Sequence, residues 1–204
     1  MQSSCVRYSR RNILFLAAAL SASIGRARTE PMNPRPPVID DLSREAPLST
    51  IGTQWQLFTD RVMGGISNGT MVREMVAGRP AIHMRGDVSL ENNGGFVQIA
   101  LDLAPGGDAV DARAWRGFEL DVFGNGEEYG VHLRTTDLSR PWQSYRQSFR
   151  AEPRWQTIRL AFQDFVPHRT DMPFNVPRLR RIGLVAIGRA FSADLAVGGL
   201  RYMA

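Results

Sequence analysis

The stretch Phe96-Val97-Gln98-Ile99-Ala100-Leu101-Asp102-Leu103 decides the fold class of this 204-residue chain. Apolar residues occupy positions 97, 99, 101 and 103, whereas positions 98 and 102 are polar. A period of two is typical of a β-strand that buries one face against a core. The preceding Asn92-Asn93-Gly94-Gly95 favours a tight turn, because Asn and Gly accept positive φ. The pattern therefore predicts a strand that begins directly after a sharp turn.

The same period of two continues through most of the chain. Ten strand-like runs are separated by Gly, Pro or Asn, and no segment keeps an apolar period of 3.6 residues for three turns. The runs cover residues 54–59, 70–76, 81–88, 96–103, 118–122, 129–134, 144–150, 155–162, 182–188 and 194–202. Many short strands with turn residues between them are typical of sandwiches and jelly rolls. We therefore expect an all-β jelly-roll β-sandwich.

Residues 1–27 have the composition of an export signal peptide. A positive segment ends at Arg10-Arg11, an apolar run covers residues 13–20, and Gly25 and Ala27 supply the small residues of a cleavage site. The arginine pair resembles a twin-arginine signal, which implies folding before export. The apolar run is too short to span a bilayer. We expect an exported, periplasmic bacterial protein, and a mitochondrial or membrane-associated location is the alternative.

The next segment, residues 28–50, contains five of the 12 prolines and few apolar residues. Such a composition is typical of an extended linker. The sequence therefore predicts a Pro-rich linker at 28–50 and a folded domain at 51–204. Because the single cysteine, Cys5, lies in the leader, the domain is expected to fold without disulfides or thiolate chemistry.

The charge composition argues against nucleic acid as a partner. The chain has 25 basic residues, all arginine, and 20 acidic residues, which gives a net charge of +5. The first 27 residues hold four of these arginines and no acid, so their removal leaves a net charge of +1. Nucleic-acid-binding domains need a concentrated basic face. We therefore expect no nucleic-acid partner. A membrane is expected as a partner only indirectly.

The motifs that carry chemistry are weak. Gly65-Ile66-Ser67-Asn68-Gly69 matches the nucleophile elbow of hydrolases, but that motif needs a strand before the serine and a helix after it. Here a turn precedes Ser67 and a strand-like run follows, so we interpret Ser67 as a turn residue. His83, His132 and His168 lack a second ligand at metal-binding spacing. The sequence therefore predicts no metal, no cofactor, no catalytic residue and no enzyme.

Five residues near turns are the candidates for binding a ligand or partner. Asp60, Arg61, Asn93 and Arg134 are predicted to lie in one loop region at an end of the sandwich, where recognition residues concentrate. Trp142 follows a proline in a predicted loop and, if exposed, would offer a stacking surface for a sugar. The alternative for Asp60 and Arg61 is that they pair with each other or with turn amides. For Trp142, core or edge packing is the favoured interpretation, because aromatic side chains are usually buried.

Two strings in the domain are distinctive. The first is Phe58-Thr59-Asp60-Arg61-Val62-Met63-Gly64-Gly65-Ile66-Ser67, and the second is Asn93-Gly94-Gly95-Phe96. With Met84-Arg85-Gly86-Asp87-Val88-Ser89, they resemble the complex I intermediate-associated protein 30 family, and the resemblance extends over about residues 51–203. It implies a galactose-binding-like jelly roll, and it brings no catalytic residue with it.

The resemblance also implies a function. Mitochondrial members of the family are assembly factors, or chaperones, for respiratory NADH:ubiquinone oxidoreductase (complex I). By resemblance, the chain is a non-catalytic binding protein whose partners are respiratory-complex subunits or assembly intermediates. Mitochondrial members work on the matrix side, whereas the leader here indicates export. A periplasmic carbohydrate-binding module is therefore the alternative function, with a carbohydrate as the ligand.

Overall fold

The computed structural model describes residues 38–204, which form two antiparallel sheets of six strands each and contain no α-helix. The strands are β1 (Val38–Asp40), β2 (Trp55–Thr59), β3 (Asn68–Val76), β4 (Arg79–Val88), β5 (Phe96–Asp102), β6 (Gly117–Gly124), β7 (Glu127–Thr135), β8 (Ser144–Ala151), β9 (Gln156–Ala161), β10 (Val166–His168), β11 (Leu179–Ile187) and β12 (Phe191–Met203). Short 3₁₀ turns cover Asp60–Met63, Glu91–Asn93, Pro105–Gly107, Phe162–Asp164 and Val176–Arg178.

The two sheets pack face to face as a sandwich. Sheet I has the order β3-β4-β12-β6-β9, with β1 beside β12, and sheet II has the order β10-β8-β7-β11-β5-β2. The chain crosses between the sheets from β2 to β3 and returns from β4 to β5. The predicted all-β sandwich is confirmed, and each of the ten predicted runs coincides with a strand. Strands β1 and β10, of three residues each, were not predicted.

The core lies between the sheets and follows the alternation seen in the sequence. On β5, Val97, Ile99 and Leu101 are fully buried, and on β6 of the other sheet Leu120 and Val122 are fully buried as well. Each such side chain contributes about 2 kcal/mol through removal of its apolar surface from water. The outer faces carry the polar alternate residues, and this arrangement leaves both faces available for other roles.

The folded unit begins earlier than the sequence predicts, so the linker assignment is wrong for residues 38–50. Strand β1 pairs with β12, and Ile39 and Leu42 are buried in the core. The buried Asp40 carboxylate accepts hydrogen bonds from Trp55 Nε1–H at 2.7 Å and from the Leu42 N–H at 3.0 Å. The segment is poor in apolar residues, but those it has are buried, and a buried carboxylate connects it to β2.

Two predicted segments lie outside the described residues. These are the export signal at 1–27 and the first part of the linker at 28–37. Within residues 38–204, the structure contains no helix with the length and apolar character needed to cross a bilayer.

Candidate functional site

Asp60 is the first residue of the 3₁₀ turn after β2, and its side chain is completely buried. The carboxylate accepts hydrogen bonds from the Ser67 N–H at 3.0 Å, from the Ser67 hydroxyl, and from the N–H groups of Gly95 and Phe96. Burial raises the pKa of the Asp60 carboxyl, but these hydrogen bonds outweigh it and hold the pKa below the ordinary value of 3.8. The group is therefore an ionised acceptor at neutral pH.

This cluster, which we call the Asp60 knot, joins the two sheets. Asp60 follows β2 and Phe96 begins β5, both in sheet II, whereas Ser67 precedes β3 and Ser89 follows β4, both in sheet I. The Ser89 N–H donates to Ser67 Oγ at 2.9 Å, so Ser67 connects Asp60 to the end of β4. Both chain crossings between β2 and β5 are therefore held at one buried carboxylate.

The glycines of the two distinctive strings are explained by the same carboxylate. A Cβ atom at Gly65 or Gly94 would overlap the Asp60 side chain, so only glycine permits the close approach. Ser67 is fully buried, it donates its hydroxyl to Asp60, and the strand β3 follows it. This geometry agrees with the interpretation of Ser67 as a structural residue.

The knot leaves four apolar side chains in solvent. Val62 is 73% exposed, Met63 63%, Ile66 44% and Leu90 53%. We call these four residues the apolar rim. Single exposed apolar residues are common, but a group of them in two adjoining turns is a feature of interaction surfaces. The two turns reverse the usual distribution of side chains, in which charged groups are exposed and apolar groups are buried. They bury an aspartate and expose valine, methionine, isoleucine and leucine.

The structure separates the predicted binding residues into two groups. Asp60 is enclosed in the knot, the exposed Arg61 follows it, and Asn93 belongs to the turn that leads to β5. The alternative in which Asp60 pairs with turn amides is confirmed. Arg134 and Trp142 belong to β7 and to the loop after it, so the prediction of one shared loop region is wrong.

The second group lies toward the opposite end of sheet II. Arg134 on β7 is opposite Arg181 on β11, and Arg181 is opposite Asp102 at the end of β5. The Asp60 knot, in contrast, contacts Phe96 at the start of β5. Six residues of a strand span about 20 Å, which separates the two groups. Sequence spacing predicts which residues end strands but does not indicate which ends meet.

Arg134 and Trp142 are joined through the loop between β7 and β8. The Arg134 guanidinium donates to the carbonyl oxygens of Pro141 and Arg140, each at 3.0 Å. Burial lowers the pKa of Arg134, and Arg180 and Arg181 add to the effect. Trp142 is 52% exposed, with the Arg140 guanidinium 5.9 Å from its ring centre. The interpretation that Trp142 packs in the core is therefore wrong, and its ring is available to solvent.

The structure gives a histidine partners that sequence spacing did not reveal. The ring nitrogens of the buried His83 lie 2.8 Å from Glu74 Oε1 and 2.6 Å from Asp194 Oδ1. These carboxylates come from β3 and β12, 9 and 111 residues away, so no sequence motif links the three groups. Within residues 38–204, no group of three or more His, Cys, Asp or Glu side chains has an arrangement suited to a metal ion.

Comparison with known proteins identifies the family. Residues 47–197 match the sequence profile of complex I intermediate-associated protein 30 (CIA30). The chain belongs to the CIA30 family. No curated protein sequence matches this CIA30 member significantly.

Solved structures similar to this CIA30 chain include carbohydrate-binding modules of Clostridium thermocellum. The family 11 module of the cellulosomal cellulase Lic26A-Cel5E has a TM-score of 0.64 and 11% identity, covering 83% of this chain and 94% of the module. The family 11 module in complex with a β-1,3-1,4-mixed-linked tetrasaccharide has a TM-score of 0.62 and 13% identity, covering 81% and 94%. The family 30 module of Cel9D-Cel44B has a TM-score of 0.52 and 14% identity, covering 66% and 82%. Identities this low establish the fold alone, and the galactose-binding-like jelly roll is confirmed.

Replacing Asp60 by Asn should destabilise the CIA30 domain strongly. The Asp60→Asn change removes a charged acceptor from four buried donors, and we expect the free energy of unfolding to fall by about 3 kcal/mol. The measurement is urea unfolding followed by circular dichroism. The milder Ser67→Ala change, which removes one of the four donors, should cost about 1–2 kcal/mol. The exposed Asp108→Asn change is the matched control and should stay within about 0.5 kcal/mol of the native chain.

The effect of Asp60→Asn should also depend on pH. Because the folded-state pKa of Asp60 is lowered, its contribution is complete above the unfolded-state pKa and is lost as the pH falls through the folded-state pKa. The difference in unfolding free energy between the native and variant chains should therefore be constant above about pH 5 and shrink below about pH 4. A difference that stays constant or grows with acidification would contradict the assignment of Asp60 as an ionised hub.

Proposed function

We propose that this protein is a non-catalytic binding protein that assists the assembly of respiratory NADH:ubiquinone oxidoreductase or a related membrane complex. Its partners are protein subunits or assembly intermediates of that complex. Membership of the CIA30 family over residues 47–197 supports the proposal. The composition of the leader supports export, so we propose a periplasmic location, where the client would be a part of the complex accessible from that side.

The observation that carries the proposal is the way in which the distinctive strings are used. The Asp60 knot is formed by Asp60, Ser67 and the glycines beside them. The apolar residues between these positions in the sequence are exposed to solvent. Val62 and Met63 are the most exposed members of the apolar rim. A turn that is held by buried hydrogen bonds and displays apolar side chains suits a contact that excludes water from a protein partner.

A specific observation favours a second candidate function, carbohydrate binding. Trp142 presents an aromatic ring to solvent beside Arg134 and Arg140. An exposed ring flanked by hydrogen-bond donors suits the apolar face and hydroxyl groups of a sugar. This candidate uses the opposite end of sheet II from the apolar rim, so variants can separate the two functions.

The assembly function predicts capture of respiratory subunits through the apolar rim. The full chain, tagged at its C-terminus, should co-purify subunits of NADH:ubiquinone oxidoreductase from solubilised membranes of its native organism. The double change Val62→Ser and Met63→Ser should reduce this capture about tenfold or more, because it removes two apolar side chains from the contact. The readout is quantitative mass spectrometry of the captured subunits.

The matched control changes two apolar side chains that are exposed elsewhere. Val72→Ser with Met75→Ser alters exposed residues of β3 and should leave the capture unchanged. Absence of respiratory subunits with the native chain, or equal loss in both double variants, would contradict the proposal. Fractionation of the same cells tests the location, since a processed protein in the periplasm is expected and an unprocessed cytoplasmic one would refute export.

The carbohydrate candidate predicts a signal that depends on Trp142. If the protein is a carbohydrate-binding module, a glycan array should give binding that Trp142→Ala abolishes and that Leu90→Ala, a change in the apolar rim, leaves intact. Stacking on an aromatic ring typically contributes enough for a loss of about tenfold or more. A blank array with the folded native chain would remove this candidate.

A further inference from the structure

Charge is distributed unequally between the two outer faces of the sandwich. Residues 38–204 contain 19 arginines and 19 acidic residues, so this part of the chain is formally neutral. On the outer face of sheet I, Arg85, Arg159 and Arg201 each face a carboxylate within 3 Å. The charges of these arginines are therefore neutralised by neighbouring carboxylates. Because residues 38–204 have equal numbers of basic and acidic residues, an arginine without a carboxylate elsewhere results from where the charges lie and not from an excess of positive charge.

The outer face of sheet II contains arginines without such partners. Arg181 is paired with Asp102 through two hydrogen bonds of 2.6 and 2.8 Å. Arg134 and Arg146, in contrast, have no carboxylate of residues 38–204 within ion-pair distance. Arg134 donates only to backbone carbonyls, and Arg146 donates through Nε to Ser144 Oγ at 2.9 Å. The terminal nitrogens of Arg146 have no hydrogen-bond partner within the described part of the chain.

The residues across from Arg146 on the adjacent strands include two histidines and the exposed, apolar Val166, which lies directly opposite it on β10. His132 lies opposite Arg146 on β7, and His168 lies diagonally from it on β10. Burial lowers the pKa of His132 to about 3, and the charge of Arg146 adds to this effect. Burial, Arg146 and Arg169 likewise lower the pKa of His168. We call Arg134, Arg146, His132, His168 and Arg169 the basic patch.

The row of sheet II beside the basic patch contains small residues, and the Gln98 side chain lies over one of them, Gly183. His132 is opposite Gly183 on β11, and Gly183 is opposite Ala100 on β5, so the row continues with small residues. Arg146 and Arg134 occupy diagonal positions of β8 and β7, which lie about 7–8 Å apart. In an extended polypeptide, side chains at alternate positions share a face and are separated by about 7 Å. The backbone spacing of the two arginines therefore matches that of alternate residues in an extended segment.

We propose that the basic patch binds an acidic polypeptide segment in extended conformation, with carboxylates of alternate residues on Arg146 and Arg134. The inference rests on the proposed function in one respect, because that function makes the partner a protein. An acidic segment supplies the charge that the face lacks. The terminal nitrogens of Arg146 can bind a carboxylate with two hydrogen bonds, whereas Arg134, whose terminal nitrogens donate to backbone carbonyls, contributes mainly its charge. The segment belongs to the client, and the patch adds charge recognition to the apolar contact at the rim.

The test uses a fluorescein-labelled deca-glutamate peptide titrated with the full chain and followed by fluorescence anisotropy. Arg146→Gln should weaken binding on the order of tenfold, because it removes the fork with free terminal nitrogens. Arg159→Gln is the matched control, since it removes the same charge from the outer face of sheet I, and it should change the affinity less than about twofold. Both variants should melt within about 3 °C of the native chain, because each lost side chain is at the surface.

Three outcomes of the titration would overturn the inference. The first is an absence of binding, and the second is an equal loss in the Arg146 and Arg159 variants, which would show that net charge alone is sensed. The third is stronger, Arg146-dependent binding of oligogalacturonate than of deca-glutamate, which would make the ligand an acidic sugar. Failure of the proposed function is recognised separately. If the native chain captures respiratory subunits and the Arg146→Gln chain captures them equally, the inference fails and the proposed function stands.

Discussion

The structure depends on one buried carboxylate at the place where the chain twice crosses between its sheets. A charge without solvent is costly unless hydrogen bonds satisfy it, and Asp60 is satisfied by donors from both crossings. This requirement fixes the neighbours of Asp60: a serine that donates twice, and glycines that let the backbone approach. The two distinctive strings of the sequence are therefore explained by their structural role around Asp60.

The knot also determines what the protein displays. The Asp60 carboxylate and Ser67 are turned inward, and four apolar side chains of the same two turns lie in solvent beside the exposed Arg61 and Glu91. The outer faces of the sheets differ in a second way. The outer face of sheet I pairs Arg85, Arg159 and Arg201 with carboxylates, whereas that of sheet II leaves Arg134 and Arg146 without one. An apolar end and a basic face on one sandwich are suited to a partner that offers both kinds of contact.

Much of the fold could be predicted from the sequence, because alternation along a strand is local. All ten predicted runs are strands, including the stretch from Phe96 that indicated the fold class. The start of the domain was not predictable from composition, because the support for residues 38–50 comes from the contact of Asp40 with Trp55. The site was only partly predictable. The sequence singled out Asp60, but its four donors lie 7 to 36 residues away, and the separation of Arg134 from Asp60 follows from strand order alone.

The most direct test of this account is a ¹³C NMR titration of the Asp60 carboxyl carbon in the folded protein. This resonance should keep the chemical shift of an ionised carboxylate as the pH falls through 3.8, the ordinary pKa, and should change only at lower pH or when the domain unfolds. A titration at or above 3.8 in the folded state would mean that burial outweighs the hydrogen bonds. In that case Asp60 would not be the ionised acceptor that joins the two chain crossings. The exposure of the apolar rim would then not be explained by hydrogen bonding to Asp60.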